Sequence, residues 1–148
     1  MGPRIALGVV AAVLTINLLV WIPLILWLRR KAIAQATAFR AELEATGEQI
    51  VFGPEPAIYR GATMQYSKVR GNGVLTLTQR RLVFQKIIGK GFELARNDIV
   101  EVREEKVFMR SIRGGARHLV VKTRSGAEIG FLSRDNAGWL KAFSLGAA

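Results

Sequence analysis

From Ile5 to Leu28 the chain carries no charged side chain. A run of about 24 residues at ~1.5 Å each spans roughly 36 Å. That is enough to cross a hydrocarbon core of ~30 Å with some tilt. Such a run predicts a transmembrane helix over residues 1–28. Within it, Asn17 is a polar side chain near mid-span, able to bond either a second helix or its own backbone. Pro23 removes one backbone donor and predicts a modest kink. Gly8 and Ala12 make a small-xxx-small pair, and Trp21 and Trp27 lie toward the end that faces the headgroups. A cleaved signal peptide is the alternative, because Ala34-Gln35-Ala36 has the small-x-small form of a cleavage site. The apolar run is far longer than the ~7–15 residues of a signal core. Its leading flank holds only Arg4, whereas Arg29, Arg30 and Lys31 follow it at once. The positive-inside rule then orients the chain, with these three residues at the cytoplasmic face, the N-terminus outside and everything after them in the cytoplasm. The expected location is therefore the cell membrane, crossed once.

The net charge is +11, and of the 22 basic residues only Arg4 precedes Leu28. Such an excess predicts anionic partners rather than a fold. For a tethered domain the nearest anionic surface is the inner leaflet, where each basic residue contributes about 1 kcal/mol. Nucleic acid is the rival anionic partner, ranked below the adjacent bilayer. There is no cysteine, which excludes disulfides, thiolate nucleophiles, Cys-ligated zinc and iron–sulfur clusters.

Residues 29–47 predict a linker helix, rich in Ala, Arg, Glu and Gln and stopped by Gly47. Ala32, Ala36, Phe39 and Leu43 recur at a/d spacing, so this helix is a candidate for homodimerisation as well as for packing on the domain that follows. Beyond it, over residues 48–148, the period changes to two. Gly53-Pro54-Glu55-Pro56 reads as a turn before a first strand, Ala57 to Tyr66. Gly71-Asn72-Gly73 reads as the next turn, leading to a strand with Leu75 and Leu77 on one face. Leu82 and Phe84 share a face of the third. Further strands follow at Phe92 to Ala95, Ile99 to Met109, Arg117 to Thr123 and Ala127 to Leu132. Ser133 reads as the N-cap of a helix from Arg134 to about Leu145, with Trp139, Leu140 and Phe143 on its apolar face. The expected class is α+β, mainly β: a seven-stranded bent antiparallel sheet or small barrel capped by a C-terminal helix.

The words Gly73-Val74-Leu75-Thr76-Leu77-Thr78-Gln79-Arg80-Arg81-Leu82-Val83-Phe84 and Phe92 to Val102 carry a resemblance, as do Leu119 to Thr123, Gly126, Phe131 and Trp139. In that order they resemble the GRAM and bacterial pleckstrin-homology-like (PH-like) families over roughly Glu55 to Leu145. The resemblance implies a PH-like barrel that binds lipid headgroups, peptides or proteins and catalyses nothing. Phosphoinositide-binding relatives carry a Lys, a variable stretch and then basic-x-Arg in the first hairpin. Here Lys68-Val69-Arg70 supplies the last part and Arg60 stands in place of the leading Lys, so the resemblance does not name a phosphoinositide.

A search for chemistry returns little. His118 is the sole histidine, expected on a strand surface, and no nucleophile motif accompanies it. The glycine words lack the endings of a phosphate loop or a dinucleotide fingerprint. Glu101, Glu104 and Glu105 cluster without a histidine to complete a metal site, and read as a solvated strand edge. Neither catalytic residues, cofactor nor metal is expected. What remains is a basic constellation: Lys68, Arg70, Arg80, Arg81, Lys86 and Lys90 on the first hairpins, with Arg110, Arg113 and Arg117 around Gly114-Gly115. These are the candidate contacts to anionic phospholipid or to a protein partner. Two readings follow. One is a membrane-anchored adaptor presenting its basic domain to a partner or the leaflet. The other is an accessory subunit of a larger membrane complex, bound through its transmembrane helix.

Overall fold

The computed structural model describes residues 2–112 and 114–145. The chain divides into two compact units, Met1–Arg40 and Ala41–Ala148. The first is formed by most of one long helix, α1 (Pro3–Thr46), which runs on through Pro23. It is long and apolar enough to cross a membrane, and its apolar window is wholly unburied. Asn17 is satisfied within its own helix: its amide donates to the Val13 carbonyl at 2.9 Å and its oxygen accepts from the Trp21 indole at 3.3 Å. Of the two partners open to Asn17, the intrahelical one is realised.

The second unit begins with the last turns of α1, where Leu43 is buried. Its body is an antiparallel sheet of seven strands in the order β4-β3-β2-β1-β9-β8-β5. The strands are β1 (Ile50–Ala62), β2 (Gly71–Thr78), β3 (Arg81–Lys86), β4 (Phe92–Ala95), β5 (Ile99–Glu105), β8 (His118–Thr123) and β9 (Glu128–Leu132). A short hairpin, β6 (Val107–Phe108) and β7 (Ser111–Ile112), forms a separate two-stranded ribbon. Helix α2 (Asn136–Ser144) follows β9. The expected class is therefore observed: mainly β, seven strands in one sheet and a C-terminal helix.

Several boundaries differ from those expected. Strand β1 starts at Ile50 and runs through Pro54 and Pro56 rather than beginning after them. Proline cannot donate to a ladder, but β9 joins β1 only from Ile58 onward, so among the described residues the first half of β1 pairs with β2 alone. Register shifts between Ile50 and Glu55 absorb the irregularity, as bulges do. Gly71-Asn72-Gly73 is strand, not turn. Gly73 is needed there because a side chain would run into the Gln85 backbone and the Phe84 ring. The segment Ile99 to Met109 breaks after Glu105, and Val107 turns into the β6–β7 hairpin.

Alternation puts Leu75, Leu77, Leu82 and Phe84 into the core, all at 1 % exposure or less. Tyr59, Phe84, Phe92 and Phe131 pack there with ring centres 5.1 to 6.1 Å apart. Trp139 of α2 is fully buried and meets Phe52 edge-on at 4.8 Å. The helix is capped by Asp135 and not by Ser133: the Asp135 carboxylate accepts from the Gly138 amide at 2.9 Å. Ser133 instead accepts from the Asp135 amide at 3.1 Å. Glu55 reinforces this start, accepting from the amides of Arg134 and Asp135 at 3.1 and 3.2 Å and from the Trp139 indole.

His118 is not a surface residue. It is fully buried, with its ring 6.2 Å from Phe108. The β6–β7 hairpin supplies that cover, because Phe108 lies against Gly130, where a side chain would displace it. Burial pushes the His118 pKa down and the charge of Arg60 adds to this, while the backbone of Glu105 and Lys106 and the charge of Glu105 oppose it. The unfolded chain takes up this proton near pH 6.5 and the folded chain resists it. Stability is thus expected to fall as pH drops below about 6.5, levelling off below the folded-state pKa. With one histidine in the chain, thermal melts at pH 7.5 and 5.5 isolate the effect. His118→Phe should shrink the difference between them; an undiminished difference would refute the assignment.

The acidic cluster is not a bare solvated edge either. Arg103 pairs with Glu105 at 2.6 Å, Glu128 at 2.8 Å and Glu101 at 3.5 Å, and Arg117 reaches Glu104 at 3.7 Å.

Candidate binding surface

Strand β2 separates the basic residues that the sequence groups together. Lys68 and Arg70 precede its first residue, and Arg80 follows its last. The seven steps from Gly71 to Thr78, at ~3.3 Å each, put roughly 23 Å between the two groups.

The first group lies on two adjacent loops, residues 63–70 between β1 and β2 and residues 87–91 between β3 and β4. The Ile87 amide donates to the Asn72 carbonyl at 3.1 Å, and the Lys86 ammonium donates to the Val69 carbonyl at 3.0 Å. These bonds hold the loops side by side. Lys68, Arg70 and Lys90 are exposed on them. So are large apolar side chains that the basic pattern did not single out, above all Val69 at 69 % and Ile88 at 67 % exposure, with Met64 at 46 %. A signal for them was present: Val69 stands between Lys68 and Arg70, and Ile88 lies two residues before Lys90. The β6–β7 turn approaches the same place, since the Met109 sulfur and the Lys68 carbonyl both lie 3.4 Å from where a Cβ on Gly61 would sit. Arg110, the next residue, is exposed on that turn with a φ of 60°.

Two of the expected contacts are turned to other uses. Lys86 is buried, its ammonium 5.1 Å from the centre of the Tyr59 ring. The Tyr59 hydroxyl in turn donates to the Ser67 carbonyl, and burial with the charge of Tyr66 pushes its pKa up to about 12. Lys86 and Tyr59 therefore brace the β1–β2 loop from beneath. Arg81 is 19 % exposed and bonded to Glu42 at 2.6 Å, Glu93 at 2.6 Å and Glu48 at 3.1 Å. Its charge is neutralised within the unit. Arg117 is exposed beside Glu104, and Arg113 lies outside the described residues. Among the described residues no cluster of His, Asp or Glu has the makings of a metal site.

No protein-family model and no curated protein matches the sequence. Solved structures do. The C-terminal domain of an unknown protein from Leishmania infantum aligns with a TM-score of 0.54 at 17 % identity, over 75 % of this chain and 95 % of that one. The Vps36 N-terminal PH domain aligns at 0.49 and 18 % identity, over 68 % and 80 %. Vav1 aligns at 0.49 and 15 %, over 80 % of this chain and 33 % of that one. At such identities a likeness speaks to fold and not to ligand. A seven-stranded antiparallel sheet with a C-terminal helix is the architecture that the sequence resemblance implied, and the second unit of this chain shares its fold with the Leishmania infantum domain.

Proposed function

We propose that the chain is a membrane-anchored binding module of the GRAM or bacterial PH-like kind, without catalytic activity, that docks its β1–β2 and β3–β4 loops on an anionic leaflet. The anchor is the span 1–28, followed by the linker 29–47 and the binding domain 48–148. Arg29, Arg30 and Lys31 orient the chain with the domain in the cytoplasm. The observation that carries the reading is the pairing of Val69 and Ile88, both exposed, with Lys68, Arg70 and Lys90 on the same two loops. Apolar tips enter the headgroup boundary while flanking cations are drawn to anionic lipid. Each contact is weak, but a tether supplies a high effective concentration, so weak affinity suffices.

The absence of cysteine allows a clean test. Ile88→Cys, labelled with a polarity-sensitive fluorophore on the full chain, is placed in nanodiscs. A blue shift is expected with phosphatidylserine and not with phosphatidylcholine alone. It should disappear at high salt and in the Lys68→Glu/Arg70→Glu variant. Equal spectra in the two lipids would sink the lipid reading and leave a protein partner as the ligand of the same loops.

A further inference from the structure

The second basic group surrounds the 3-10 turn Arg96–Asp98, at the far end of β2 from the docking loops. The Arg96 amide donates to the Arg80 carbonyl at 2.8 Å, fixing the two backbones together. The Arg124 guanidinium donates to the Asn97 carbonyl at 3.0 Å, and the Arg124 amide donates to the Asp98 carbonyl at 2.8 Å. Three arginines thus converge on one turn. Beside Arg80 and Arg96 is a shallow concavity of about 500 Å³, lined by these two with Gln79, Ala95 and Asn97.

The charge state of these arginines sets them apart. Arg81 and Arg103 are each surrounded by three carboxylates. Arg80, Arg96 and Arg124 form no ion pair among the described residues. Arg96 is held by neutral acceptors, the carbonyls of Thr78 at 3.3 Å and Ala142 at 3.2 Å. That arrangement positions the guanidinium without cancelling its charge. The acid on the turn itself is Asp98, whose charge acts on Tyr66, and Glu48 lies within electrostatic reach of Arg80. A planar fork with unused N–H donors matches the oxygens of a phosphate, and two such forks hold it bidentately.

We propose that this concavity is a second anion site, separate from the docking loops, in which Arg80 and Arg96 bind a phosphate group with Arg124 adding long-range attraction. The Gln79 and Asn97 amides border the same space and can donate to the remaining oxygens.

The test uses the full-length chain in phosphatidylcholine nanodiscs at low ionic strength, titrated with inorganic pyrophosphate while arginine Nε–H signals are followed by NMR. Saturable shifts are expected at Arg80 and Arg96. Arg80→Gln and Arg96→Gln should each weaken the apparent Kd tenfold or more, and Lys68→Gln/Arg70→Gln should leave it within twofold. The Arg80 side chain makes no hydrogen bond or ion pair among the described residues, so Arg80→Gln reports on the site even where Arg96→Gln disturbs the fold. Linear, non-saturating shifts overturn the proposal, as does an equal loss in the Lys68/Arg70 variant. A second arm replaces pyrophosphate with phosphatidic acid in the disc. The same shifts there identify a lipid phosphate as the source, and shifts with pyrophosphate alone identify a soluble one. Because the loop variants serve as controls, failure of this site and failure of leaflet docking are distinguishable.

Discussion

Trp139→Ala is expected to remove about 3–5 kcal/mol of stability from the second unit, the usual cost of emptying a fully buried aromatic site. Trp139 is 0 % exposed, sits edge-on to Phe52 and packs near Phe143. Its indole also donates to Glu55, whose other oxygen accepts the amides of Arg134 and Asp135. The substitution therefore opens a cavity and removes a donor from the carboxylate that holds the start of α2. Domain stabilities run to only ~5–15 kcal/mol, so most of the margin goes. Urea unfolding of the detergent-solubilised chain, followed by near-ultraviolet circular dichroism, measures the loss. Trp139→Phe retains most of the ring volume but not the N–H, and should lose about 1–3 kcal/mol. If both variants were as stable as the parent, α2 would not be an integral part of the core.

The next largest effect should come from Arg81→Met, at about 2–3 kcal/mol. The Glu48 side chain is 3 % exposed, accepts from the Thr78 hydroxyl and faces the Arg81 guanidinium at 3.1 to 3.3 Å. Removing the cation leaves a carboxylate buried without its charge partner, which is the expensive step. The pairs with Glu42 and Glu93 involve carboxylates more than half exposed and contribute little. In an Arg81→Met background, Glu48→Gln should then restore part of the loss, because no charge remains to be desolvated. A double-mutant cycle reads the coupling directly, and strict additivity would refute it.

The same pair predicts an acid limb. Burial acts to raise the Glu48 pKa, but hydrogen bonds from Thr78 and Arg81, with the charges of Arg81 and Arg80, hold it below the usual carboxylate value. A carboxyl with a depressed folded-state pKa stabilises fully above its unfolded value of about 4.3 and loses that contribution as pH falls through the folded one. The limb should therefore lie below about pH 4, clear of the His118 window, and be absent in Glu48→Gln.

Much of the sheet was legible because its signals are local. Leu75 and Leu77, then Leu82 and Phe84, alternate at period two and are buried as that period requires. The misreadings share a cause. Pro54 and Pro56 look like a turn until it is known that β9 does not pair with that half of β1. His118 looks exposed until the β6–β7 hairpin is laid over it. The basic residues look like one patch until β2 separates Arg80 from Lys68 and Arg70, Lys86 turns inward to Val69 and Tyr59, and Arg81 is enclosed by three glutamates.

By itself the sequence determined the uncharged span, the basic excess that follows it, the seven strands of the main sheet and the apolar face of the last helix. Each depends on composition or periodicity over a few neighbouring residues, which the chain carries before it folds. The tertiary structure alone decided which cations still face solvent. Whether a guanidinium meets a glutamate, a carbonyl or water depends on partners tens of residues away, such as Glu42 for Arg81 and Ala142 for Arg96. Charge is local to a residue, but its neutralisation is a property of the fold.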